Sequence, residues 1–312
     1  MTTVGVDIGG TKIAAGVVDE GGELLESTQW PTDPKSPEVI EDGIVSAVQN
    51  FARTHEIEAV GVAACGFVDA DRSTVRFAGN VAWRDHPLGE ILADRLDLPV
   101  VVENDANAAG WAEFQFGVGK DVSNMVMMTI GTGLGGAIIM NERLVRGAFG
   151  GAGEIGHMVA VPFGHYCGCG HEGCLEMYAS GTALTRSARS REIAEPSFMS
   201  TIREYAGDRS KLQGQDVTRA AADGDEAALK LVRDLGYWIG RGAASLSAVL
   251  DPELIAIGGG VSRAGEVLLQ PARRSFKENL FAMENRPLAP IVVSKFENDG
   301  GMIGAGDLAR RD

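Results

Sequence analysis

Three of the four cysteines in this 312-residue sequence fall within eight consecutive positions: Cys167, Cys169 and Cys174. Thiolates at the spacing CxCx4C can converge on one tetrahedral ion, and in a reducing compartment such clustering indicates a metal site before disulfides. Zn²⁺ favours Cys₃His sets, so a histidine is expected as the fourth ligand. Spacing alone leaves three candidates, His165 just before the cluster, His171 inside it and His157 farther upstream. A local rule would favour the nearest, His165; free buried thiols are the alternative, and the isolated Cys65 is expected to be one.

Two glycine-rich segments, Gly9-Gly10-Thr11-Lys12 and Gly131-Thr132-Gly133, each lie between two predicted strands. Without Cβ atoms, a hairpin can bring consecutive backbone N–H groups close to phosphate oxygens, so two facing hairpins would grip a polyphosphate from both sides. Two simple tight turns are the alternative. Residues 131–136 also satisfy GxGxxG, but that dinucleotide fingerprint must open a helix, and the β-branched run that follows predicts a strand.

Carboxylates stand where strands are predicted to end. Asp105 follows the apolar run 100–102 and Glu103 and precedes a predicted helix, a position where ligand-facing groups gather in α/β sheets. It is therefore a candidate general base, with a helix N-cap as the alternative. Asp7 ends the first strand among apolar neighbours, where a charge is costly unless it is paired, and a cap of its own hairpin is the alternative.

The composition limits the choice of partners. The sequence has 28 Lys and Arg against 43 Asp and Glu, a formal net charge of −15, which argues against a nucleic-acid polyanion as the main partner. No stretch approaches the roughly 18 consecutive apolar residues of a membrane span, and the N-terminus lacks the features of a signal peptide. We therefore expect a cytoplasmic protein with no nucleic-acid and no membrane partner.

Apolar periodicity predicts the same order of elements twice. The first half has strands near 4–8, 13–18 and 23–28, a helix after Ser36-Pro37, then strands at 59–64 and 100–103, each followed by a helix. From Met125 the order restarts with strands at 125–130, 136–140 and 143–146, helical sequence to residue 250, and strands at 254–257 and 291–294, each followed by a helix. Both halves follow the plan βββαβαβα of an α/β protein. The polar stretch 187–214 gives no regular signal.

Four segments carry a family signature: Asp7-Ile8-Gly9-Gly10-Thr11-Lys12, Glu103-Asn104-Asp105-Ala106-Asn107-Ala108, Glu154-Ile155-Gly156-His157 and the cysteine segment 167–176. On these the chain resembles the ROK family of sugar kinases and sugar-responsive repressors, and is most like its glucose-phosphorylating members. The resemblance implies an actin-like ATPase (ribonuclease H-like) fold, with two βββαβαβα domains around a central cleft. The smaller domain would comprise 1–115 plus a C-terminal helix at about 299–312, and the larger one, 116–298, would carry the zinc loop and oligomer contacts.

The resemblance further implies ATP-dependent phosphorylation of D-glucose at its 6-hydroxyl, with ATP bound as its Mg²⁺ complex. Asp105 would accept the hydroxyl proton, and Asp7 would lie at the phosphate and Mg²⁺ end of ATP. The nucleotide contacts would be a first phosphate loop of Gly9, Gly10, Thr11 and Lys12, a second of Gly131, Thr132 and Gly133, and an adenosine seat at Gly258, Gly259 and Gly260. A tight turn is the alternative for these last three glycines.

Sugar recognition needs several strong acceptors on one wall, because a hexose presents a ring of hydroxyl donors. Asn104, Glu154 and Glu176 fit this requirement, and Asn80 either adds a contact or only forms a turn. The resemblance points to His157 as the fourth ligand of a closed, structural Zn²⁺ site. If one ring nitrogen of His157 binds zinc, the other can face a sugar hydroxyl, so the metal would orient a substrate contact.

The family leaves alternatives to glucose phosphorylation. A sugar-responsive repressor is expected to carry a helix-turn-helix domain ahead of the first nucleotide-binding strand, which begins here at Val4, so the sequence favours the kinase. The same chemistry on mannose, fructose, allose or an N-acetylated hexosamine is the second enzyme hypothesis, because one or two wall residues decide the sugar. Polyphosphate as an additional donor stays open. Family members are commonly homodimers or homotetramers, and the sequence does not choose between these states.

Overall fold

A computed structural model describes residues 2–194 and 200–311. The first half contains β1 (Thr2–Ile8), β2 (Lys12–Val18), β3 (Leu24–Pro31), α1 (Pro37–Phe51), β4 (Ile57–Ala64), β5 (Phe67–Val68), β6 (Val75–Phe77), β7 (Arg84–His86), α2 (Leu88–Leu96), β8 (Val100–Asn104) and α3 (Asp105–Phe116). The second half contains β9 (Met125–Ile130), β10 (Leu134–Met140), β11 (Arg143–Leu144), α4 (Gly181–Ala194), α5 (Ser200–Ala206), α6 (Gly214–Ala222), α7 (Glu226–Leu250), β12 (Leu254–Gly258), α8 (Glu266–Asn279), β13 (Ile291–Val293) and α9 (Gly300–Arg311).

The two large sheets repeat one strand order. It is β3-β2-β1-β4-β8 in the first sheet and β11-β10-β9-β12-β13 in the second. In the first sheet β1 pairs antiparallel with β2 and parallel with β4, and in the second β9, β12 and β13 run parallel. The central parallel strands are almost wholly buried, which explains their continuous apolar sequence. The predicted repeat of βββαβαβα is confirmed.

Some elements differ from the prediction. A small antiparallel sheet of β5, β6 and β7 was not predicted, because strands of two or three residues are too short to show a period. The predicted strand 143–146 is shorter, since β11 ends at Leu144. Helix α4 lies partly, and α5 wholly, in the polar stretch 187–214, for which no regular element was predicted. Residues 195–199 of that stretch lie outside the described residues.

The chain forms two compact units. The first comprises residues 1–123, 137–153 and 295–312, and the second comprises 124–136 and 154–294. The predicted domain boundaries, 1–115 with about 299–312 and 116–298, stay a prediction. Among the described residues, no helix combines the length and the apolar character that a membrane span needs.

Helix α9 packs back on the sheet of the first unit. Its backbone comes so close to β1 and β4 that a Cβ atom on Gly5 or Gly61 would overlap the carbonyl oxygens of Met302 and Ala305. Glycine is therefore required at both strand positions for the helix to lie against the sheet. The start of α9 lies beside Asp7, since a Cβ atom on Gly301 would be 2.7 Å from the Asp7 carboxyl carbon.

Candidate active site

Asp105 is the first residue of α3, directly after the carboxyl end of β8. Its Oδ1 accepts hydrogen bonds from the Ala106 backbone N–H at 2.9 Å and from Asn104 Nδ2 at 3.1 Å. The helix is capped by Asn104, whose Oδ1 accepts from the Asn107 backbone N–H at 3.1 Å. Asp105 is therefore not the N-cap, the alternative that its sequence position left open. Its carboxylate is instead held at the sheet edge where α/β proteins bind their substrates.

Asn104 orients Asp105 as well as capping the helix. Its Nδ2 donates to the Gly66 carbonyl at 3.0 Å in addition to Asp105. Cys65, the residue before Gly66, is partly buried. This burial, and then the negative charges of Asp105 and Asp7, raise the pKa of Cys65 to about 12. The Cys65 thiol is therefore protonated at neutral pH and is not a nucleophile.

Asp7 near the end of β1 lies in the same electrostatic environment as Asp105. Burial, and then the negative charge of Asp105, raise the pKa of Asp7 to about 7, while Lys12 lowers it and Asp299 raises it. The first unit thus brings Asp7, Lys12 and Asp105 together and adds Asp299, which the sequence did not single out. A carboxylate whose pKa is raised by neighbouring negative charges binds a cation favourably, because the cation offsets that repulsion.

The first glycine-rich segment forms the turn between β1 and β2. The Gly9 backbone N–H donates to the Lys12 carbonyl at 3.0 Å, which closes the turn. A Cβ atom on Gly10 would lie 3.4 Å from the Cβ atom of Asn80, so Asn80 packs directly beside this turn. Lys12 is exposed, and its Nζ lies 3.5 Å from Gln29 Oε1. Asn80 is therefore placed at the predicted phosphate loop of the first unit.

The second glycine-rich segment forms an equally tight turn in the second unit. The Gly131 N–H donates to the Gly133 carbonyl at 3.0 Å, and the Gly181 N–H donates to the Gly131 carbonyl at 2.8 Å. Thr182 Oγ1 donates to the Thr132 carbonyl at 2.7 Å. The start of α4 thereby fixes the backbone of this turn. Because β10 and not a helix follows the turn, the rejection of a dinucleotide fingerprint is confirmed.

A cavity of about 720 Å³ opens beside this second turn. This volume lies within the roughly 300 to 1,000 Å³ typical of small-molecule sites. Three residues of the predicted nucleotide site line it, Gly131, Thr132 and Gly260, whereas Gly133, Gly258 and Gly259 lie outside its lining. The sequence missed the rest of the polar wall, which comprises Thr182, Thr185, Gln213, Gln215, Thr218, Arg219 and Arg263. No short motif marks these residues, because they come from separate helices and a turn.

Gly259 shapes the backbone at the edge of this cavity. Its φ is +80°, a conformation that side chains with a Cβ atom rarely adopt. A Cβ atom there would also lie 2.5 Å from the carbonyl oxygen of Ile130 at the end of β9. Gly259 is therefore needed to bring the Gly260 turn close to the second glycine-rich segment.

The cysteine segment converges with His157 in the second unit. One ligand atom from each of His157, Cys167, Cys169 and Cys174 lies within 4.8 Å of the other three. Cys167 Sγ is 3.7 Å from His157 Nδ1, and Cys169 Sγ is 3.5 Å from Cys174 Sγ. Neighbouring ligand atoms around a tetrahedral Zn²⁺ are roughly 3.3 to 3.8 Å apart, so the four residues fit this ion.

The other two histidines do not join this four-atom group. His165, which the local rule favours, instead packs against the ring of Tyr178, with a centroid distance of 5.3 Å and an angle of 36° between the ring planes. His171 Nδ1 lies 3.7 Å from Cys169 Sγ but is outside the convergent set. The local rule is wrong here because the chain returns through a bridge between Val159 and Cys174, which brings His157 back to the cysteines.

The pKa values of two clustered thiols, Cys174 and Cys169, are shifted in opposite directions. Burial, and then the Cys169 and Cys167 side chains, raise the pKa of Cys174 to about 12. Burial also raises the pKa of Cys169, but hydrogen bonds from His171 and the other thiols outweigh it and lower that pKa to about 6. Three clustered thiolates repel one another without a cation, and a bound Zn²⁺ removes that repulsion.

Two predicted sugar ligands lie beside the cysteine cluster. His157 turns its other ring nitrogen, Nε2, towards Glu154, whose Oε2 is 3.9 Å away, and both side chains are about half exposed. Glu176 is more constrained, because its Oε2 accepts from the Leu134 backbone N–H at 2.9 Å and its Oε1 lies 3.9 Å from Cys167 Sγ. Glu176 therefore connects the cysteine cluster to the second glycine-rich turn.

Comparison with known proteins agrees with this arrangement. Residues 3–312 match the ROK family. The chain is 48% identical to a glucokinase of Streptomyces coelicolor over an aligned region of 309 residues, and this region covers 99% of this chain and 97% of that protein. It is 32% identical over 313 residues to an N-acetylmannosamine kinase of Escherichia coli O157:H7, which covers 99% of each chain.

Solved structures show the same likeness. The crystal structure of a ROK family glucokinase from Streptomyces griseus, in complex with glucose and AMPPNP, is 46% identical to this chain, with a TM-score of 0.92 and full coverage of both chains. This likeness, together with the repeated strand order, confirms the predicted actin-like ATPase fold class.

Proposed function

Because the chain belongs to the ROK family, we propose that it is a glucokinase, which transfers the γ-phosphoryl group of ATP to the 6-hydroxyl of D-glucose. The observation that carries the proposal is Asp105, a carboxylate oriented by Asn104 at the carboxyl end of β8. The relatives named glucokinase, matched over almost the whole chain, support glucose as the acceptor.

Asp105 acts as the general base of this reaction. As the glucose 6-oxygen attacks the γ-phosphorus, its proton passes to the Asp105 carboxylate. The bond between the γ-phosphorus and the β,γ-bridging oxygen breaks, and ADP leaves with the electron pair of that bond. Because the reaction depends mainly on positioning and charge stabilisation, the base contributes about 10² to 10⁴ in rate.

The 720 Å³ cavity of the second unit holds the nucleotide. Its lining contains two arginines, Arg219 and Arg263, and no carboxylate, which suits an anionic ligand. The backbone of Gly131 and Thr132 contacts the phosphates, and Thr182 supports that turn from α4. In the first unit, Gly9 to Lys12 form the other phosphate loop.

Mg²⁺ bound with ATP would supply positive charge that neutralises the phosphate oxygens. Asp7 is the residue of this chain that would hold it, since carboxylate oxygens are the protein ligands that Mg²⁺ prefers. The raised pKa of Asp7, about 7 beside Asp105, supports this assignment because a cation nearby would lower it again.

Glucose is held by Asn104, Glu154, His157 and Glu176, with Asn80 as a further contact. In support of this set, Asn104 adjoins the base, and Glu154 lies 3.9 Å from the outward-facing nitrogen of His157. His157, Cys167, Cys169 and Cys174 would hold a structural Zn²⁺, since their donor set and spacing fit a closed tetrahedral site. With one ring nitrogen bound to that ion, the ring of His157 would be fixed in orientation for its sugar contact.

The test follows ADP release and product identity with purified protein over glucose, mannose, fructose, allose and N-acetylated hexosamines. We expect glucose to give the highest kcat/KM, with 6-phosphate as the product. The N-acetylmannosamine kinase relative makes an N-acetylated hexosamine the second candidate, and a higher kcat/KM with that sugar would replace glucose. Sugar binding without ADP release from any hexose would support a sensor instead.

Asp105→Asn tests the assigned base. We expect its kcat to fall by about 10² to 10⁴ while glucose binding by calorimetry stays measurable, because asparagine keeps the shape but cannot accept the proton. Asp94→Asn is the matched control, since Asp94 is an exposed carboxylate on α2, and its kcat should equal that of the wild type. Near-normal turnover of Asp105→Asn would remove Asp105 from the role.

The cytoplasmic location, the homodimeric or homotetrameric state and the absence of nucleic-acid and membrane partners stay predictions from the sequence.

A further inference from the structure

Glu103 is a buried carboxylate directly behind Asn104 and Asp105. Its side chain is only 4% exposed, and burial of a carboxylate is costly unless cations and hydrogen bonds compensate. Arg146 Nε lies 2.6 Å from Glu103 Oε2, and Arg72 Nε lies 3.5 Å from the same oxygen. One carboxylate oxygen therefore faces two arginines that are distant from it in the sequence.

The other carboxylate oxygen faces the candidate active site. Glu103 Oε1 accepts from the Asn104 backbone N–H at 3.1 Å and from Asn107 Nδ2 at 3.0 Å. Asn104 and Asn107 are themselves joined by the helix cap, and Asn104 holds Asp105. Glu103 thus connects the two arginines to the residues that orient the base.

Arg72 is fixed beside β8 through its backbone as well. It has a φ of 58°, in the left-handed region that disfavours residues with a Cβ atom. Its carbonyl oxygen accepts from the Val102 N–H at 2.9 Å, next to Glu103 in the strand. Burial, and then the positive charge of Arg146, lower the pKa of Arg72 to about 10, so the guanidinium is still charged at neutral pH. An arginine in a turn conformation suited to glycine points to a requirement for its side chain.

Arg146 links Glu103 to a second part of the site. Its carbonyl oxygen accepts from the Ala152 N–H at 3.0 Å, which closes the glycine-rich loop 147–151. A Cβ atom on Gly150 would overlap the Val68 carbonyl oxygen, so this loop also packs tightly on β5. The chain continues from it directly to Glu154, a proposed sugar ligand.

We propose that Glu103, held by Arg146 and Arg72, is a positioning residue that sets Asn104 and Asp105 for proton transfer and anchors the loop leading to Glu154. Glu103 does not touch the substrate and acts through its hydrogen bonds. The kinetic consequence rests on the proposed function, whereas the positioning itself can be measured without catalysis.

The kinetic test compares Glu103→Gln with Glu41→Gln. Glutamine keeps the shape of Glu103 but removes the charge that holds both arginines. We expect kcat, normalised to the glucose-binding stoichiometry from calorimetry, to fall about 10- to 100-fold, because a misplacement of about 1 Å can cost about 10² in rate. Glu41 is a similarly buried carboxylate, 7% exposed and paired with His86 at 2.8 Å, so Glu41→Gln controls for the loss of a buried pair and should keep the wild-type kcat.

Arg146→Met tests the connection between Glu103 and the loop. It removes the ion pair that ties residue 146 to Glu103 but keeps the backbone hydrogen bond from the Ala152 N–H, so the loop loses its side-chain anchor. KM for glucose should therefore rise at least several-fold while the normalised kcat falls. A merely structural role would lower the amount of folded enzyme, leaving KM and the normalised kcat unchanged. Wild-type kcat in Glu103→Gln, or an equal loss in Glu41→Gln, would overturn the proposal.

Hydrogen exchange of the backbone amides gives a second readout that does not depend on activity. In Glu103→Ala, the amides of residues 104–107 should exchange at least about tenfold faster than in the wild type, while those of β1 stay unchanged. If Glu103→Ala does not fold, Glu103→Gln is measured in its place. Unchanged exchange at 104–107 would overturn the proposal. A wild-type protein inactive on every hexose would instead contradict the proposed function, and the exchange data would still decide the role of Glu103.

Discussion

Replacing Asp7 by asparagine should stabilise the protein without its ligands, and the gain should grow as the pH rises. Asp7 is isosteric with asparagine, but only the aspartate must ionise near Asp105 and Asp299. Burial and these charges raise the pKa of Asp7 from 3.8 to about 7, so ionisation is less favourable in the folded than in the unfolded protein. The substitution removes this unfavourable ionisation together with the proposed cation ligand.

The expected change in unfolding free energy follows from the difference between the pKa of Asp7 in the unfolded and in the folded protein. Below pH 3.8 Asp7 is protonated in both states, and above it the unfolded chain loses its proton first, so the wild type loses stability as the pH rises towards about 7. Each pH unit between the two pKa values costs about 1.4 kcal/mol of unfolding free energy. Between about pH 5 and about pH 8 the loss is about 2 to 3 kcal/mol, and asparagine does not suffer it.

Urea denaturation of both proteins at about pH 5 and about pH 8, without Mg²⁺ or nucleotide, measures this effect. The free energy of unfolding of Asp7→Asn, minus that of the wild type, should be about 2 to 3 kcal/mol larger at the higher pH. Asp94→Asn is the control for removal of an exposed carboxylate, and its difference should be the same at both pH values. A difference for Asp7→Asn that does not change with pH would refute the reasoning. The stabilised variant should also lose most of its turnover, since Asp7 is the proposed Mg²⁺ ligand.

Two further predictions concern the second unit. Purified wild-type protein should contain about one zinc per chain, and His157→Ala should both lose zinc and weaken glucose binding about tenfold or more, measured by metal analysis and calorimetry. His165→Ala is the control because His165 lies outside the convergent cluster, and an active preparation without zinc would contradict this coupling. Gly259→Ala should lower the melting temperature and raise KM for ATP more than KM for glucose, because the new Cβ atom would lie 2.5 Å from the Ile130 carbonyl at the cavity edge. An ATP KM equal to that of the wild type would show that this turn does not shape the nucleotide site.

Most of the architecture could be predicted from the sequence, because the determining signals are local and periodic. The runs before Asp7 and Gly131 are long enough to show buried strands, and glycines mark the turns that follow. The N-cap residue of α3 could not be predicted from the sequence, because Asn104 and Asp105 are both good N-cap residues. Only the backbone geometry assigns the cap to Asn104. The helices in the polar stretch 187–214 were not predicted for a different reason, because helices with few apolar residues show little apolar periodicity.

The missed parts of the site depend on contacts between distant segments. Arg72 and Arg146 meet the same carboxylate although 74 positions separate them in the sequence, and no local pattern relates either one to Glu103. The choice of His157 as the fourth member of the cysteine cluster is of the same kind. Spacing alone left three histidines open, a local rule favoured His165, and only the family resemblance pointed to His157, which the tertiary structure brings to the thiols.

An acidic protein can bind an anionic substrate because its charges are unevenly distributed, with arginines lining one region and carboxylates clustered in another. The fifteen residues lining the cavity proposed for the nucleotide include Arg219 and Arg263 and no carboxylate, although 43 of the 312 residues in the chain are acidic. In the first unit, by contrast, Glu103 is paired with two arginines, whereas Asp7 and Asp105 repel each other. A phosphate group approaching those two aspartates without a cation would add to the repulsion. The same acidic pair that would exclude free ATP can therefore favour ATP that carries Mg²⁺.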